Sequence, residues 1–130
     1  MNVDDRIRVR HMLDAAREAL SFAESRSRVD IDHDRMLLHS IVRNIEILEE
    51  AAANVSPEYR ESNPQIPWAK LRGMRNRLVH AYFDIDPDIV WDTATQDLPL
   101  LVACADRIDR RGQVITMWRG LRSARLLAAG

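Results

Sequence analysis

The residues of this chain best suited to chemistry lie close together, between positions 75 and 82. Arg75 is followed directly by Asn76, His80 comes five residues after the arginine, and Tyr82 stands two residues beyond the histidine. A guanidinium binds phosphate oxygens in pairs, and an imidazole transfers protons near neutral pH. RNA carries its own nucleophile, the 2′-hydroxyl, so a proton-transferring group and a cation are parts for cutting RNA without a metal.

The spacing of apolar residues predicts one helix from about Pro67 to Tyr82. At about 100° per residue, Arg72, Asn76 and His80 share one flank of that helix, whereas Arg75 projects from the middle of its apolar face. A charge in that position must be paired or must reach into a cleft, because an isolated buried charge is very costly. Two interpretations stay open: a structural arginine paired with a carboxylate of another helix, and a functional arginine.

Each of these residues is a weak signal when it is taken alone. A lone histidine on a helix, such as His80, is more often a surface or core residue than a catalytic one, and Asn76 alone indicates almost nothing. Gly73 leaves the shared flank of the helix open for another molecule to approach. The spacing of these residues therefore suggests a phosphate-binding site with Arg72 and Asn76 as supporting residues. The spacing alone does not establish such a site.

Other site chemistries find no support in the sequence. Three aspartates alternate between positions 30 and 34 like calcium ligands, but Arg35 and Ile41 occupy the positions where a calcium loop needs glycine and glutamate. We expect Asp32 or Asp34 to cap the following helix instead. The histidines before position 75 lack a metal-ligand spacing, and no glycine-rich phosphate loop is present. The sequence predicts neither a metal nor a cofactor.

The remaining pattern predicts an all-α fold, an up-and-down bundle of four to five helices within residues 1–117. A polar loop is expected at Ser25–Asp34 and a polar connector between Ser56 and Pro64. Residues 118–130 form a basic C-terminal tail. The expected helices are approximately Asp4–Ser25, Asp34–Asn54, Pro67–Tyr82, Pro87–Thr95 and Pro99–Met117.

Charge and composition set further limits. The net charge is −1 over 130 residues, so no global basic surface exists, but positions 66–82 contain four basic residues and no acidic one. A single cysteine, Cys104, excludes an intrachain disulfide and fits a reducing cytosol. The charged N-terminus does not suit a secretion signal, and the longest apolar run, Leu98–Ala105, is too short for a membrane span. These features predict a cytoplasmic protein without a membrane partner.

Several stretches of the sequence carry a family resemblance. They are IPWAKLRGMRNRLVHAYFDID from Ile66 to Asp86, Ile89-Val-Trp, Asp97-Leu-Pro, Asn44-Ile-Glu-Ile-Leu and Glu50-Ala. Together they closely resemble the HepT-like toxins of the HEPN superfamily over most of residues 5–110. The resemblance implies an all-α bundle that pairs into dimers, and metal-independent cleavage of RNA.

The same resemblance assigns roles to individual residues. The arginine and histidine of the family match Arg75 and His80, its following polar residue matches Asn76, and its tyrosine matches Tyr82. In such systems a MntA-like minimal nucleotidyltransferase antitoxin neutralises the toxin by attaching AMP to that tyrosine. One departure is Glu49, where many relatives carry glycine, and it bears on how helices or subunits approach one another.

The motif also bears on assembly. One helix supplies one histidine. A homodimer or higher oligomer joined through the motif helix would form a composite cleft, which would bring two copies of His80 and Arg75 together. The apolar-face position of Arg75 suits such an interface. The alternative is a non-catalytic HEPN adaptor that binds a partner nucleotidyltransferase through its helices, against which the intact Arg75 and His80 argue.

Overall fold

The computed structural model describes residues 3–80, 84–108 and 110 of the chain. Most of these residues are helical, which confirms the expected all-α fold. The elements in chain order are α1 Val3–Ala23, α2 Arg28–His33, α3 Arg35–Ala53, α4 Pro57–Ser62, α5 Trp68–Arg72, α6 Met74–Leu78, β1 Val79–His80, β2 Asp84–Ile85, α7 Pro87–Asp92, a π-helical segment Thr93–Asp97 and helical residues 98–108.

The long helices α1 and α3 form the centre of the core, and among the numbered elements each packs most extensively against the other. The apolar stripe of α3 is buried at Ile41, Ile45 and Leu48, as its helical spacing predicts. The buried residues of α1 include Ala16 and Ala19, both almost fully buried. The contact between these two long helices forms the centre on which the shorter elements lie.

The start of α1 is tied to α4 by a buried carboxylate. Asp5 is 1% exposed, and it accepts hydrogen bonds from the Ser56 backbone N–H at 2.8 Å and from the Ser56 hydroxyl at 2.6 Å. Burial opposes ionisation of Asp5, but the two bonds from Ser56 outweigh it, and the pKa of Asp5 lies below its ordinary value. The Ser56 hydroxyl also accepts from the Tyr59 N–H at 3.2 Å and so caps α4.

The predicted loop at Ser25–Asp34 is wrong, because the chain forms α2 there. The Ser27 N–H donates to the Asp30 carboxylate at 2.7 Å at the start of this helix, and Ile31 is buried in the core. Arg28 bonds Asp88 of α7 at 2.7 Å. The expectation that Asp32 or Asp34 caps the next helix is confirmed for Asp34, which accepts from the Leu37 N–H at 3.1 Å.

The polar connector between Ser56 and Pro64 is likewise not a plain loop, since it contains α4. The prediction that a separate helix opens at Pro99 is also wrong, because α7 runs on through the π-helical segment into residues 98–108. In that segment the Leu98 N–H bonds the Thr93 carbonyl five residues earlier. Helical structure continues through Pro99, although proline lacks the backbone N–H that the interior of an α-helix uses.

Two expectations fall outside the described part of the chain. The predicted helix end at Met117 and the basic tail of residues 118–130 both lie there, so the division of the chain at position 117 stays a prediction. Within the described ranges, none of the helices has the length and apolar character needed to cross a bilayer.

Candidate active site

The motif segment is not the single helix that its periodicity predicts. It breaks at Gly73, which has φ −99° and ψ 2° and joins the end of α5 to the start of α6. Arg77 bridges the break, since its Nη2 donates to the Lys70 carbonyl at 2.9 Å. The helix then ends at Leu78, whose carbonyl accepts the Asp86 N–H at 2.8 Å. A tertiary contact with the returning chain therefore stops α6 before the histidine.

His80 lies in an extended backbone rather than on a helix flank. Strands β1 and β2 pair antiparallel, with Val79 opposite Ile85 and His80 opposite Asp84. Val79 and Ile85 are partly buried against the core, and a β-branched valine favours extended backbone, which explains the change of structure. The predicted sharing of one helical flank by His80 and Asn76 is therefore wrong.

The other predicted site residues are placed as follows. Arg72 ends α5, Arg75 and Asn76 lie in the first turn of α6, and all three are exposed. His80 follows directly after the C-cap residue of α6. Tyr82, the predicted acceptor of AMP, lies outside the described residues. The structure thus brings Arg75 and Asn76 onto one short helix and places the histidine on the strand that leaves it.

Arg75 does not project into the apolar interior of the chain. Its side chain is 55% exposed, whereas Leu71, Met74 and Leu78 are buried. The break at Gly73 separates α5 from α6, so a single helical wheel does not describe both and assigns Arg75 to the wrong face. The cost of an unpaired buried charge, which the sequence pattern raised, therefore does not arise here.

Two glutamates of α3 hold Arg75 in place. The Arg75 Nε donates to Glu46 Oε1 at 3.3 Å, and the Arg75 backbone N–H donates to Glu49 Oε2 at 2.9 Å. Glu46 also pairs through its other oxygen with Arg43 at 3.4 Å. The interpretation of Arg75 as an arginine paired with another helix therefore agrees with the geometry. Its exposure means that this pairing and a role in binding are compatible.

The orientation of the Arg75 guanidinium matters for chemistry. The bond to Glu46 uses Nε, and among the described residues neither Nη1 nor Nη2 of Arg75 has a hydrogen-bond partner. A guanidinium held in this way presents a fork of N–H donors whose geometry matches two oxygens of a phosphate. The arrangement can therefore bind an anion without first breaking the contact to α3.

Glu49 has a structural use that the sequence did not reveal. The first N–H groups of a helix lack partners within the helix, and the residue before α6, Gly73, has no side chain to cap it. The Glu49 carboxylate caps α6 from the neighbouring helix α3. The sequence pattern alone did not identify Glu46 and Glu49 as partners of Arg75. The available signal was their three-residue spacing, which puts both on one face of α3.

The described part of the chain also bears on whether a metal could take part. Within residues 3–80 and 84–108, no group of three or more His, Cys, Asp or Glu side chains is arranged to hold a metal ion. Among the described residues of this region, Arg75 carries a positive charge that can bind an anion. The histidine that would move protons follows at the end of the same segment.

Comparison with known proteins identifies the class. The model of the family described as Ribonuclease HepT-like matches residues 12–108, most of the chain, and the chain therefore belongs to the HepT-like family. This confirms the resemblance found in the sequence. No solved structure matches the chain.

Three relatives illustrate the similarity. The chain is 38% identical over 72 residues to a protein of Caldanaerobacter subterraneus and 30% identical over 88 residues to one of Methanocaldococcus jannaschii, each named "Putative RNase". It is 35% identical over 68 residues to the "Probable ribonuclease HepT" of Thermococcus cleftensis. These matches cover 55%, 68% and 52% of this chain and 64%, 81% and 62% of the respective relatives.

Proposed function

We propose that this protein is a metal-independent endoribonuclease, the toxin of a HepT/MntA-like toxin–antitoxin pair. The observation that carries the proposal is the state of Arg75, whose guanidinium is exposed, bonded to α3 through Nε, and without a partner at its two other nitrogens among the residues that the structure describes. Membership of the HepT-like ribonuclease family supports the same conclusion. Arg75 and His80 are the proposed catalytic residues, with Asn76 and Arg72 as supporting residues.

The proposed reaction is internal transfer at phosphorus. The 2′-oxygen attacks the adjacent phosphorus while a neutral His80 takes its proton, the bond from phosphorus to the 5′-oxygen breaks, and a protonated His80 gives a proton to that oxygen. The unperturbed pKa of histidine, about 6.5, suits both directions of transfer near neutral pH. Arg75 stabilises the charge that develops on the phosphoryl oxygens, and Asn76 helps to orient the phosphate.

This reaction needs a proton acceptor and a proton donor at the same time. One chain supplies a single histidine in the motif, so we propose that two copies of the chain form the complete site, each giving one Arg75 and one His80. The exposed position of Arg75 leaves it accessible to a second copy. The proposed assembly is a homodimer or a higher oligomer joined through the motif segment.

The proposed partner is a minimal nucleotidyltransferase antitoxin that transfers AMP from ATP to the Tyr82 hydroxyl, with release of pyrophosphate. The added phosphodiester would repel RNA, and the added nucleoside would block its approach. Tyr82→Phe should keep most or all of the ribonuclease activity and escape neutralisation, since the proposed reaction assigns the phenol oxygen no part in cleavage. Intact-mass analysis with ATP and the partner decides this, because an adduct that persists on Tyr82→Phe would place the modification elsewhere.

The chemistry of the products tests the proposed reaction class. Attack by the 2′-oxygen leaves a 2′,3′-cyclic phosphate on one product and a 5′-hydroxyl on the other, and DNA of the same sequence must stay intact. Mass spectrometry of the fragments distinguishes these ends from a 5′-phosphate. Fragments with a 5′-phosphate and a free 3′-hydroxyl would contradict internal transfer and point to attack by water.

One observation favours a second candidate function. The pairing of Arg75 with Glu46 also serves the fold alone, as a link between α6 and α3. On that basis the chain would be a non-catalytic helical adaptor that binds a nucleotidyltransferase. The adaptor binds its partner whether or not RNA is present, and its preparations leave RNA uncut.

A further inference from the structure

A second surface next to the motif has the character of a nucleic-acid groove. It is a hollow of about 710 Å³ between α4, the connector that follows it, and α5. The residues that matter here are Arg60 on α4, and Trp68 and Arg72 on α5. We call this hollow the α4–α5 groove. These three side chains make none of the contacts that hold Arg75 against α3. The placement of Arg75 therefore does not account for the presence of the groove.

Trp68 forms a fixed aromatic wall of the α4–α5 groove. Its indole Nε1 donates to the Asn63 carbonyl at 3.0 Å. Its ring meets that of Tyr59 edge to face, with centroids 6.2 Å apart and an interplanar angle of 81°. The indole is half-buried, so these two contacts fix its orientation and part of its surface still faces the groove. A rigid, partly open ring is the type of platform on which a nucleobase stacks.

The charge of the α4–α5 groove is positive. Arg60, Lys70 and Arg72 line it, against one carboxylate, Glu61. Lys70 is paired with Asp97 at 2.8 Å, but within the described part of the chain the guanidinium groups of Arg60 and Arg72 have no hydrogen-bond or ion-pair partner. Two uncommitted guanidinium groups beside an aromatic wall suit a chain of alternating phosphates and bases.

The groove leads towards Arg75. A smaller hollow beside it is lined by Arg60, Trp68 and Arg72 together with Glu49. Glu49 in turn accepts the backbone N–H of Arg75 at 2.9 Å. Glu49 therefore connects the lining of the smaller hollow with the backbone of Arg75, so a strand lying in the α4–α5 groove would pass near the proposed site of cleavage.

We propose that the α4–α5 groove binds a single-stranded segment of the RNA substrate beside the scissile phosphate. One base stacks on Trp68, and Arg60 and Arg72 contact the backbone phosphates on either side. This inference rests on the proposed ribonuclease function and adds to it the part of the protein that holds the substrate. A single strand fits because its unstacked bases are available to an aromatic wall, whereas bases in a duplex are not.

The test separates binding from cleavage. The probe is a fluorescently labelled single-stranded RNA with 2′-O-methyl groups, which cannot supply the 2′-oxygen nucleophile, and binding is measured by anisotropy. The test variant is Arg60→Gln with Arg72→Gln. The control is Arg10→Gln with Arg35→Gln, which removes the same charge from exposed positions on α1 and α3 outside the groove.

We expect the groove variant to bind the probe roughly tenfold more weakly than the control at about 0.1 M salt. Its slope of log affinity against log salt should fall by about 1.4, the loss of two phosphate contacts on a single strand. Trp68→Phe, which keeps a ring beside Tyr59, should weaken binding about threefold or more, since stacking on the smaller ring is weaker. Circular dichroism confirms that each variant is folded.

Two results would overturn the groove. The first is equal affinity and equal salt slope for the groove variant and the control. The second is a change in the fluorescence emission of Trp68 with protein concentration in the absence of RNA. The emission of Trp68 is obtained as the difference between the wild type and Trp68→Phe. Such a change would show that a second copy of the chain occupies the groove. Binding by the wild type without cleavage of unmodified RNA would instead overturn the proposed ribonuclease and leave the groove intact.

Discussion

At the scale of single residues, the contact between Arg75 and Glu46 decides how the motif arginine can act. An exposed ion pair of this kind contributes at most about 1 kcal/mol to stability. Its importance is therefore orientation rather than stability. Glu46 accepts the hydrogen bond from the Arg75 Nε–H, which leaves the two Nη groups of Arg75 without a partner among the described residues. We infer that Glu46 is a positioning residue for Arg75.

This role predicts a split between turnover and binding. Glu46→Ala should lower kcat of RNA cleavage roughly tenfold, because Arg75 then samples orientations that miss the phosphate in the transition state. Its KM should stay the same or fall, since a negative charge beside the site has been removed. Glu46→Gln, whose amide oxygen still accepts from Nε, should lose less activity. Steady-state kinetics of the three proteins measure this split.

A matched control for this experiment is Glu18→Ala, which removes an exposed glutamate from α1 on a surface without any motif residue. It should leave both kinetic constants near the wild-type values. Equal kcat for Glu46→Ala and Glu18→Ala would show that the pairing of Arg75 with Glu46 does not position the arginine for reaction.

At the scale of elements, the accuracy of the sequence predictions follows the range of the interactions. Helix α3 was predicted closely because its signals are local: an aspartate cap at Asp34, an apolar stripe and an end at Asn54. Helix α2 was missed although Ser27 and Asp30 form a local contact at its start, because the helix also depends on burial of Ile31 and on the bond from Arg28 to Asp88, sixty residues away. Pattern alone does not contain such contacts.

The site shows the same division. The residue types around Arg75 and His80 were visible in the sequence, and so was the resemblance to the HepT-like family. Their relative placement was not, because Gly73 interrupts the helix and the pairing of β1 with β2 ends it at Leu78. A helical wheel assumes one unbroken helix and so gave the wrong face for Arg75 and the wrong element for His80.

Gly73 offers a test of the break. Its φ is negative, and a Cβ built on it meets nothing within 4 Å. Gly73→Ala should therefore fit the break between α5 and α6 and stabilise the protein by about 0.5 kcal/mol, by restricting the unfolded chain. Urea denaturation measures the difference. A loss of more than about 1 kcal/mol would contradict the geometry given for this junction.

Asp5 links α1 to α4, and its lowered pKa makes that link depend on pH. Since the pKa is lower in the folded than in the unfolded state, the contribution to stability is present above the unfolded value of about 3.9 and is lost as pH falls through the folded value. Asp5→Asn should lower the free energy of unfolding by about 2 kcal/mol at pH 7, because one Ser56 donor then faces an amide N–H₂ group.

The difference between wild type and Asp5→Asn should shrink as the pH is lowered below about 4, because Asp5 is then protonated first in the unfolded chain and, at lower pH, in the folded protein. Urea denaturation at several pH values from 7 to below 4 measures it. A difference that stays constant over the whole range would show that ionisation of Asp5 does not stabilise the folded state.

At the scale of the whole molecule, the proposed reaction requires more than one chain. Each chain supplies one Arg75, whose two Nη groups have no partner among the described residues, and His80 is the single histidine of the motif. We predict a dimer in solution whose activity is shared between subunits. Mixing Arg75→Ala with His80→Ala should then restore part of the cleavage that each variant lacks, provided that a site forms from the intact residues of both.

Light scattering at the assay concentration accompanies the mixing experiment. A protein that is monomeric and fully active at that concentration would contradict the composite site. The catalytic roles of Arg75 and His80 would then need a proton donor other than a second histidine, and the charged neighbours on α3 would be the first groups to test.

The central claim is that Arg75 and His80 cut RNA without a metal, and cleavage of labelled RNA in EDTA tests it most directly. We predict that the wild type cuts under these conditions. Arg75→Ala and His80→Ala, each shown to be folded by circular dichroism, should cut at least about 100-fold more slowly. Wild-type rates in His80→Ala would contradict the claim, as would activity that disappears in EDTA and returns with magnesium.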